Sequence, residues 1–134
     1  MYGKAAWVSI AILDALAACS AAEPPPAVDA GARIYNGNCA ACHQQDARGV
    51  PSVYPSLVGS PVVLGDPGEL TLWVIKGRRP PSMPAGRYPT MMAQFGWMKA
   101  QDAAALFTYL RSGFGNAAEP VAAATVVQAL DATP

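Results

Sequence analysis

The stretch Cys39-Ala40-Ala41-Cys42-His43 decides how the rest of this 134-residue sequence is interpreted. Its two cysteines are three positions apart, so one helical turn places both sulfur atoms on the same face. From that face two thioether bonds can reach the vinyl groups of a porphyrin, and the next residue then points its imidazole at the iron. This is the c-type haem attachment pattern. The sequence therefore predicts one covalently bound haem c, held by Cys39 and Cys42 and ligated by His43.

Three other interpretations of the cysteine pair are a thiol redox couple, half of a zinc site and a structural disulfide. A redox CxxC pair lies at a strand–helix junction in a βαβ unit, and no strand alternation is visible in this sequence. A structural zinc ion needs four ligands. His43 is the only histidine, and the third cysteine, Cys19, lies close to the N-terminus. The haem interpretation is favoured over all three.

A second histidine from the same chain cannot be the sixth iron ligand, so methionine is the expected one. Methionines occur at positions 1, 83, 91, 92 and 98. A soft thioether sulfur suits both oxidation states of the iron and raises the reduction potential relative to a second imidazole. Each of these methionines could equally fill a gap in the core.

The remaining sequence predicts an all-α fold of three to five short helices around the haem, with long loops rich in proline and glycine. Thirteen prolines and twelve glycines interrupt the chain,. Asp29 is expected to cap a first helix that runs to about Asn36 and stops at Gly37. Asp66 and Gly77 would bound a second helix over residues 67–76. Further helices are expected at 101–112 and 121–130, and loops at 48–67 and 77–97.

The N-terminal residues are typical of an export signal. Lys4 precedes an apolar run over residues 5–13, which Asp14 interrupts before several small residues,. The sequence Leu16-Ala17-Ala18-Cys19 resembles the bacterial lipobox, whose cysteine is lipidated and begins the mature protein. This predicts a lipid anchor on Cys19, which would also explain the odd cysteine. The alternatives are an ordinary cleaved signal, a retained apolar helix or a misassigned start.

The overall charge gives no sign of a nucleic-acid partner, because nine basic residues balance nine acidic ones,. The basic residues are nevertheless unevenly placed. Between Leu70 and Gln101 there is no acidic residue and there are five basic ones: Lys76, Arg78, Arg79, Arg87 and Lys99. This run predicts a surface that steers an acidic partner. Alternatively, it is ordinary solvated surface from which one or two arginines pair with the haem propionates, with Arg78 or Arg79 the better candidate. The two interpretations are compatible.

Over residues 29–116 the sequence resembles the class I cytochromes c. Gly31 and Tyr35 resemble the small and aromatic residues of that family's N-terminal helix. Leu106 and Tyr109 resemble their partners on the C-terminal helix. In the family the glycine permits a close crossing of the two helices and the aromatic residues fill it. The resemblance implies the small cytochrome c fold.

The resemblance also implies two further haem-site residues. Pro55-Ser56-Leu57 is similar to the family's Pro-x-Leu, whose proline carbonyl accepts the Nδ1–H of the proximal histidine and orients its ring. Met92-Ala93-Gln94-Phe95-Gly96 is similar to Met-Pro-x-Phe-Gly and implies Met92 as the axial ligand, with alanine in place of proline. That departure keeps Met91 as an alternative. Met83-Pro84 begins similarly but lacks the phenylalanine and lies further from the last helix.

Two more specific stretches, residues 54–59 and 109–116, resemble the cytochrome modules of membrane-bound alcohol and related dehydrogenases. The implied protein is no enzyme but a carrier of single electrons between a dehydrogenase and a terminal oxidase or other acceptor. A haem sensor or peroxidase-like protein with a labile sixth ligand is the alternative, and a non-haem thiol or metal module is a third.

The predicted organisation has four segments. Residues 1–18 are a lipoprotein-type signal peptide and residues 19–28 a proline-rich linker. The cytochrome c domain occupies residues 29–116, and residues 117–134 form a C-terminal extension. The protein is expected on the periplasmic side of a bacterial membrane, held at its surface by a lipid on Cys19, or otherwise soluble in the periplasm.

Overall fold

A computed structural model describes residues 27–83 and 86–132, and these ranges contain six α-helices. They are α1 (Ala27–Asn38), α2 (Ala40–His43), α3 (Pro61–Leu64), α4 (Pro67–Lys76), α5 (Ala100–Ser112) and α6 (Ala123–Asp131). In the same ranges the only strand-like pairing is an isolated bridge between Val50 and Tyr54. The all-α prediction is confirmed. The six helices exceed the three to five expected, because α2 and α3 are helices of only four residues. The predicted signal peptide, Cys19 and residues 19–26 of the predicted linker lie outside the described residues. Residues 27 and 28, also assigned to the linker, are the first two residues of α1.

The central packing contact is the crossing of α1 over α5 at Gly31. A Cβ atom at Gly31 would overlap the carbonyl oxygen of Ala105 and lie 2.6 Å from the Cβ of Tyr109. One turn further along α1, Tyr35 is completely buried, with its ring 5.8 Å from that of Tyr109 and 5.2 Å from that of Phe114. Tilted rings at these separations attract each other, so this crossing joins the two ends of the domain.

Helix α4 has the two ends expected from its sequence. The Asp66 carboxylate accepts a hydrogen bond of 2.8 Å from the backbone N–H of Glu69. Gly77 adopts a left-handed conformation with φ of 69°, and its N–H donates to the carbonyl of Trp73. Both ends of the helix therefore satisfy backbone groups that helices otherwise leave unpaired.

The other predicted boundaries need correction. Asp29 lies in the first turn of α1 rather than at its cap, and the helix continues through Gly37 to Asn38. It continues because the N–H of Cys39 still donates to the carbonyl of Tyr35. The predicted loop at 48–67 contains α3, for which Ser60 supplies the capping oxygen. The last helix, α6, begins at Ala123, two residues later than expected.

Arg111 is a buried cation that ties the C-terminal segment to α3. Its side chain is only 5% exposed. Its Nε donates to the carbonyl of Glu119 at 2.7 Å, and one terminal nitrogen donates to the carbonyls of Val63 at 2.7 Å and Gly65 at 2.8 Å. A substitution that removed the guanidinium would leave these three carbonyls without their hydrogen-bond donor,.

Asn116 is a second buried polar side chain, and it fixes the loop that precedes α3. Its amide nitrogen donates to the carbonyls of Leu110 at 2.8 Å and Leu57 at 3.2 Å, and its oxygen accepts from the N–H of Gly59 at 2.8 Å. The loop is thereby attached to the end of α5, although more than fifty residues separate the partners in sequence.

The helix crossing gives a direct prediction with a matched control. Gly31→Ala should lower the free energy of unfolding by about 1–3 kcal/mol, because the added methyl meets the backbone of α5. Gly37→Ala, also in α1, places its methyl where no atom lies within 4 Å, and should leave stability unchanged or raise it by up to about 1 kcal/mol. Urea unfolding followed by circular dichroism measures both. Equal effects of the two substitutions would contradict the close crossing.

Candidate haem site

A cavity of about 740 Å³ opens between α2, α3, α4 and the segment that connects α4 to α5. Its volume is within the range of about 300–1,000 Å³ that is usual for cofactor pockets. Most of the wall is apolar, and its members include Leu57, Val62, Val63, Leu70, Trp73, Val74, Phe95, Leu106 and Leu110. A large, flat, mostly apolar group would complete the core here.

Both cysteines of the attachment motif line this cavity. Cys39 is the residue before α2, and the N–H of His43 donates to its carbonyl at 2.9 Å. The single turn therefore has the geometry that the spacing predicts. Cys39 is buried and Cys42 is exposed at the edge of the site, and both are free thiols.

The surroundings of the two thiols argue against the other interpretations of the motif. Burial, followed by the neighbouring Cys42, raises the pKa of the Cys39 thiol to about 11. Redox-active CxxC pairs depend on the opposite shift, a lowered pKa that provides a thiolate. Within residues 27–83 and 86–132 no group of three or more metal-binding side chains comes together, so nothing there supports the zinc alternative.

His43 is buried, and its Nδ1 lies 2.9 Å from the carbonyl oxygen of Pro55. A carbonyl can only accept, so Nδ1 carries the proton and Nε2 keeps its lone pair. Burial lowers the pKa of His43, and the hydrogen bond to Pro55 partly offsets this. The chain thus presents a neutral, oriented imidazole, which is the form in which histidine binds a metal. The contact with Pro55 is the one that the Pro-x-Leu resemblance implies.

Two residues that sequence analysis did not assign to the site, Gly49 and Tyr35, hold the backbone around His43 and Pro55 in place. Gly49 adopts φ of 66°, and a Cβ there would lie 2.7 Å from the Pro55 carbonyl carbon. Its N–H donates to the carbonyl of His43. The hydroxyl of buried Tyr35 donates to the carbonyl of Gln44 at 2.6 Å. Burial, above all, raises the pKa of Tyr35, so this hydroxyl remains a donor.

Another part of the cavity wall comes from the connection between α4 and α5, whose described residues, 77–83 and 86–99, are here called the distal loop. Met83, Met91 and Met92 all line the cavity, whereas Met98 is buried in the core. Met91 is 87% exposed, and Met83 and Met92 are half-buried against core residues. Burial therefore favours Met92 over its neighbour Met91.

Hydrogen bonding holds the Met92 segment against α4. The N–H of Phe95 donates to the carbonyl of Val74 at 3.0 Å. The Gln94 side chain lies against Gly77, at the end of α4, where a Cβ would overlap it. The contacts of Gln94 and Phe95 therefore fix the distal loop two and three residues after Met92.

Two of the five basic residues line the cavity, Arg79 and Arg87. Arg78 instead lies with Glu69 and Leu72 in a smaller cavity of about 220 Å³, which Arg79 also borders. Of the two arginines that the sequence nominated for the haem propionates, Arg79 is therefore the one beside the haem cavity. Arg87, which belongs to the same basic run, lines the cavity as well.

The profile of the cytochrome c family matches residues 28–114. This chain belongs to the cytochrome c family. It is an electron-transfer protein and carries covalently bound haem c. When bound, the haem supplies a one-electron change at its iron. The residues present fit this group: two thiols on one helical turn, an oriented neutral imidazole, and an apolar wall that also contains the thioethers of three methionines.

Three relatives illustrate the similarity. The cytochrome c subunit of alcohol dehydrogenase (quinone) from Gluconobacter oxydans (strain 621H) is 36% identical over 109 residues, which cover 78% of this chain and 22% of that protein. The gluconate 2-dehydrogenase cytochrome c subunit from Pantoea cypripedii is 29% identical over 75% of this chain and 23% of its own length. Cytochrome c-552 from Thermus thermophilus is 30% identical over 65% of this chain and 70% of its own length.

This cytochrome therefore spans about a fifth of the length of the dehydrogenase subunits that it matches. In the part of the chain that the structure describes, no helix has the length and apolar character needed to cross a bilayer.

Proposed function

We propose that this cytochrome carries single electrons on the periplasmic side of a bacterial membrane, from a dehydrogenase to a terminal oxidase or another acceptor. The observation that carries the proposal is one mostly apolar cavity whose wall contains the CxxCH turn, the His43–Pro55 hydrogen bond and Met92. The names of two relatives, which are cytochrome c subunits of dehydrogenases, favour a dehydrogenase as electron donor.

In this proposal Cys39 and Cys42 form the two thioether bonds, and His43 and Met92 are the axial ligands. Pro55 holds the imidazole by accepting its Nδ1–H, which fixes the ring orientation and makes Nε2 a stronger donor. The thioether of Met92 favours the reduced iron more than a second imidazole would. With His43 and Met92 as its two axial ligands, the iron would have no open position for an exogenous substrate.

The apolar wall has a part in the same function. Val62, Val63, Leu70 and Val74 are buried residues that border the cavity. A wall of this kind limits solvent access and lowers the local dielectric, and both raise the reduction potential of a bound haem. Through Val63, the hydrogen bonds of Arg111 hold this wall in place.

We further propose that residues 29–116 are the haem domain and that residues 117–134 are an extension, of which residues 117–132 brace the domain. Support comes from the buried side chains of Val121 and Val126 and from the packing of α6 against α4 and α5. The N-terminal pattern supports cleavage after residue 18 and a lipid on Cys19. It also supports a linker from residue 19 up to the start of α1 at Ala27. Stable attachment to a membrane needs more than one acyl chain, as a fully processed lipoprotein cysteine provides.

The axial ligand can be tested by substitution. Met92→Ala should remove the far-red absorption band of ferric methionine–iron ligation and lower the reduction potential, because it removes the thioether. Met91→Ala and Met83→Ala are the matched controls and should keep the band. Loss of the band in either control, with the band retained in Met92→Ala, would transfer the role to that methionine.

The anchor and the haem attachment can be separated by reciprocal substitutions. Cys19→Ser should release the protein from membranes and keep the haem covalently bound. The double substitution Cys39→Ala with Cys42→Ala should abolish covalent haem attachment and leave the protein on membranes. Thioether bonds need both of these thiols, whereas lipidation needs neither. Membrane fractionation, and mass spectrometry for acyl chains and haem, measure both properties. A mature chain that starts beyond Cys19 and carries no lipid would refute the anchor and leave the haem assignment intact.

A further inference from the structure

Strained backbone is concentrated in two segments beside the haem cavity. Among the described residues, those other than glycine that have a positive φ are Gln44 (66°), Ala47 (58°), Ser52 (61°) and Phe114 (57°). A side chain makes this left-handed conformation costly, because its Cβ crowds the next carbonyl oxygen. The first three lie in residues 44–59, which follow His43, contain Pro55 and are here called the proximal loop. The fourth lies two residues before Asn116.

Asn116 joins these two strained segments. Its buried amide donates to the carbonyl of Leu57 and accepts from the N–H of Gly59, both in the proximal loop, and its other N–H donates to the carbonyl of Leu110 in α5. Both amide N–H groups and the amide oxygen are therefore engaged. Strained backbone persists where the surrounding structure holds it in place, and the Asn116 side chain is such a restraint on the proximal loop.

The restrained residue lies close in sequence to the carbonyl that orients the imidazole. Leu57 follows Pro55 by two positions, and its N–H donates to the carbonyl of Ala47 at 2.8 Å while its own carbonyl accepts from Asn116. Pro55 has no N–H with which to anchor its own position. Its carbonyl, 2.9 Å from Nδ1 of His43, is therefore placed by the residues that flank it.

We propose that Asn116 is a positioning residue for the axial imidazole. By tying the strained proximal loop to α5, it holds the Pro55 carbonyl against Nδ1 of His43. That hydrogen bond makes Nε2 a stronger electron donor, which favours the oxidised iron, so Asn116 lowers the reduction potential. This inference rests on the proposed ligation by His43 and adds to it a residue that touches neither the imidazole nor Pro55 through any of its three side-chain hydrogen bonds.

Asn116 has a second connection to the cavity, and its effect has the opposite sign. Leu57 and Leu110, whose carbonyls Asn116 binds, both line the cavity. If Asn116 served only to close this wall, its removal would admit water and lower the reduction potential. Release of the Pro55 carbonyl would instead weaken the imidazole as a donor and raise the potential. The sign of the change therefore separates the two roles.

The test follows solvent exchange of two protons by NMR in the reduced, haem-bearing full chain. One is the Nδ1–H of His43, and the other is the N–H of Phe95, which donates to Val74 in another part of the cavity wall. Asn116→Ala should accelerate exchange of the Nδ1–H at least about tenfold, because the bond that protects it opens more often. Exchange of the Phe95 N–H should change less than about twofold, and the reduction potential should rise.

Thr108→Val is the matched control, because it removes another pair of tertiary hydrogen bonds from α5. The Thr108 hydroxyl accepts from the N–H of Val121 at 3.0 Å and donates to its carbonyl at 3.4 Å, so it restrains residues after the helix and not the proximal loop. Exchange of the His43 Nδ1–H should change less than about twofold in this variant.

Asn116→Asp provides a second variant in case Asn116→Ala fails to mature. The aspartate keeps the size of the side chain and an oxygen for the N–H of Gly59, but it loses the donors to Leu57 and Leu110. It should therefore also accelerate exchange of the Nδ1–H about tenfold.

Three results would overturn the proposal. Exchange of the Nδ1–H that stays slow in the Asn116 variants, with a reduction potential that is unchanged or falls, would leave Asn116 a part of the cavity wall alone. Equal acceleration at His43 and Phe95 would show a general loosening of the fold. An effect of Thr108→Val as large as that of Asn116→Ala would show the same.

The unsubstituted protein separates this proposal from the ligation on which it rests. The porphyrin ring current shifts the ring protons of an iron-bound imidazole far upfield in the reduced state. If the His43 ring protons lack this shift, ligation by His43 fails and the role of Asn116 fails with it. If they show the shift and the Asn116 variants leave Nδ1–H exchange unchanged, the ligation stands and the positioning role alone is refuted.

Discussion

The close approach of α1 to α5 at Gly31 is the contact on which the haem site depends. Helix α1 leads directly to Cys39 and the turn of α2, and α5 supplies Leu106 and Leu110 to the cavity wall. Because Gly31 lets backbone meet backbone, the thiols at the end of one helix are held against the wall provided by the other. Covalent attachment of a rigid group needs this kind of fixed geometry, since a small displacement would separate the reacting atoms.

Buried polar side chains fix the parts of the site that helices do not. Asn116 holds the loop after Pro55, and Arg111 holds both ends of the segment between Val63 and Gly65. Arg111 lies in the last turn of α5 and Asn116 follows that helix, so the end of α5 stabilises α3 and the loop before it. Arg111 has only carbonyl partners among these hydrogen bonds, which satisfies its donors without a neutralising carboxylate.

Sequence alone predicted the features that have local causes. The CxxCH turn follows from the spacing of the cysteines, and α4 follows from its capping residues Asp66 and Gly77. Helix α5 follows from the helical periodicity of its apolar residues, although Lys99 at its N-terminus makes no side-chain capping hydrogen bond. The single-turn helix α3 was missed because one turn has no periodicity; Ser60 followed by Pro61 was the available signal. Burial of Arg111 could not be predicted, since an arginine in the last turn of a helix is ordinarily solvated. Likewise, the contact of Trp97 with Phe95 depends on how the distal loop folds back on α4.

The central claim is that His43 and a methionine of the distal loop hold one haem iron in the cavity. Iron X-ray absorption spectroscopy of the matured protein tests it most directly, because it reports the atoms bound to the metal. The predicted first shell contains the porphyrin nitrogens, one imidazole nitrogen and one sulfur, in both oxidation states. A shell without sulfur, with nitrogen or oxygen alone in the sixth position or with no sixth ligand, would contradict it.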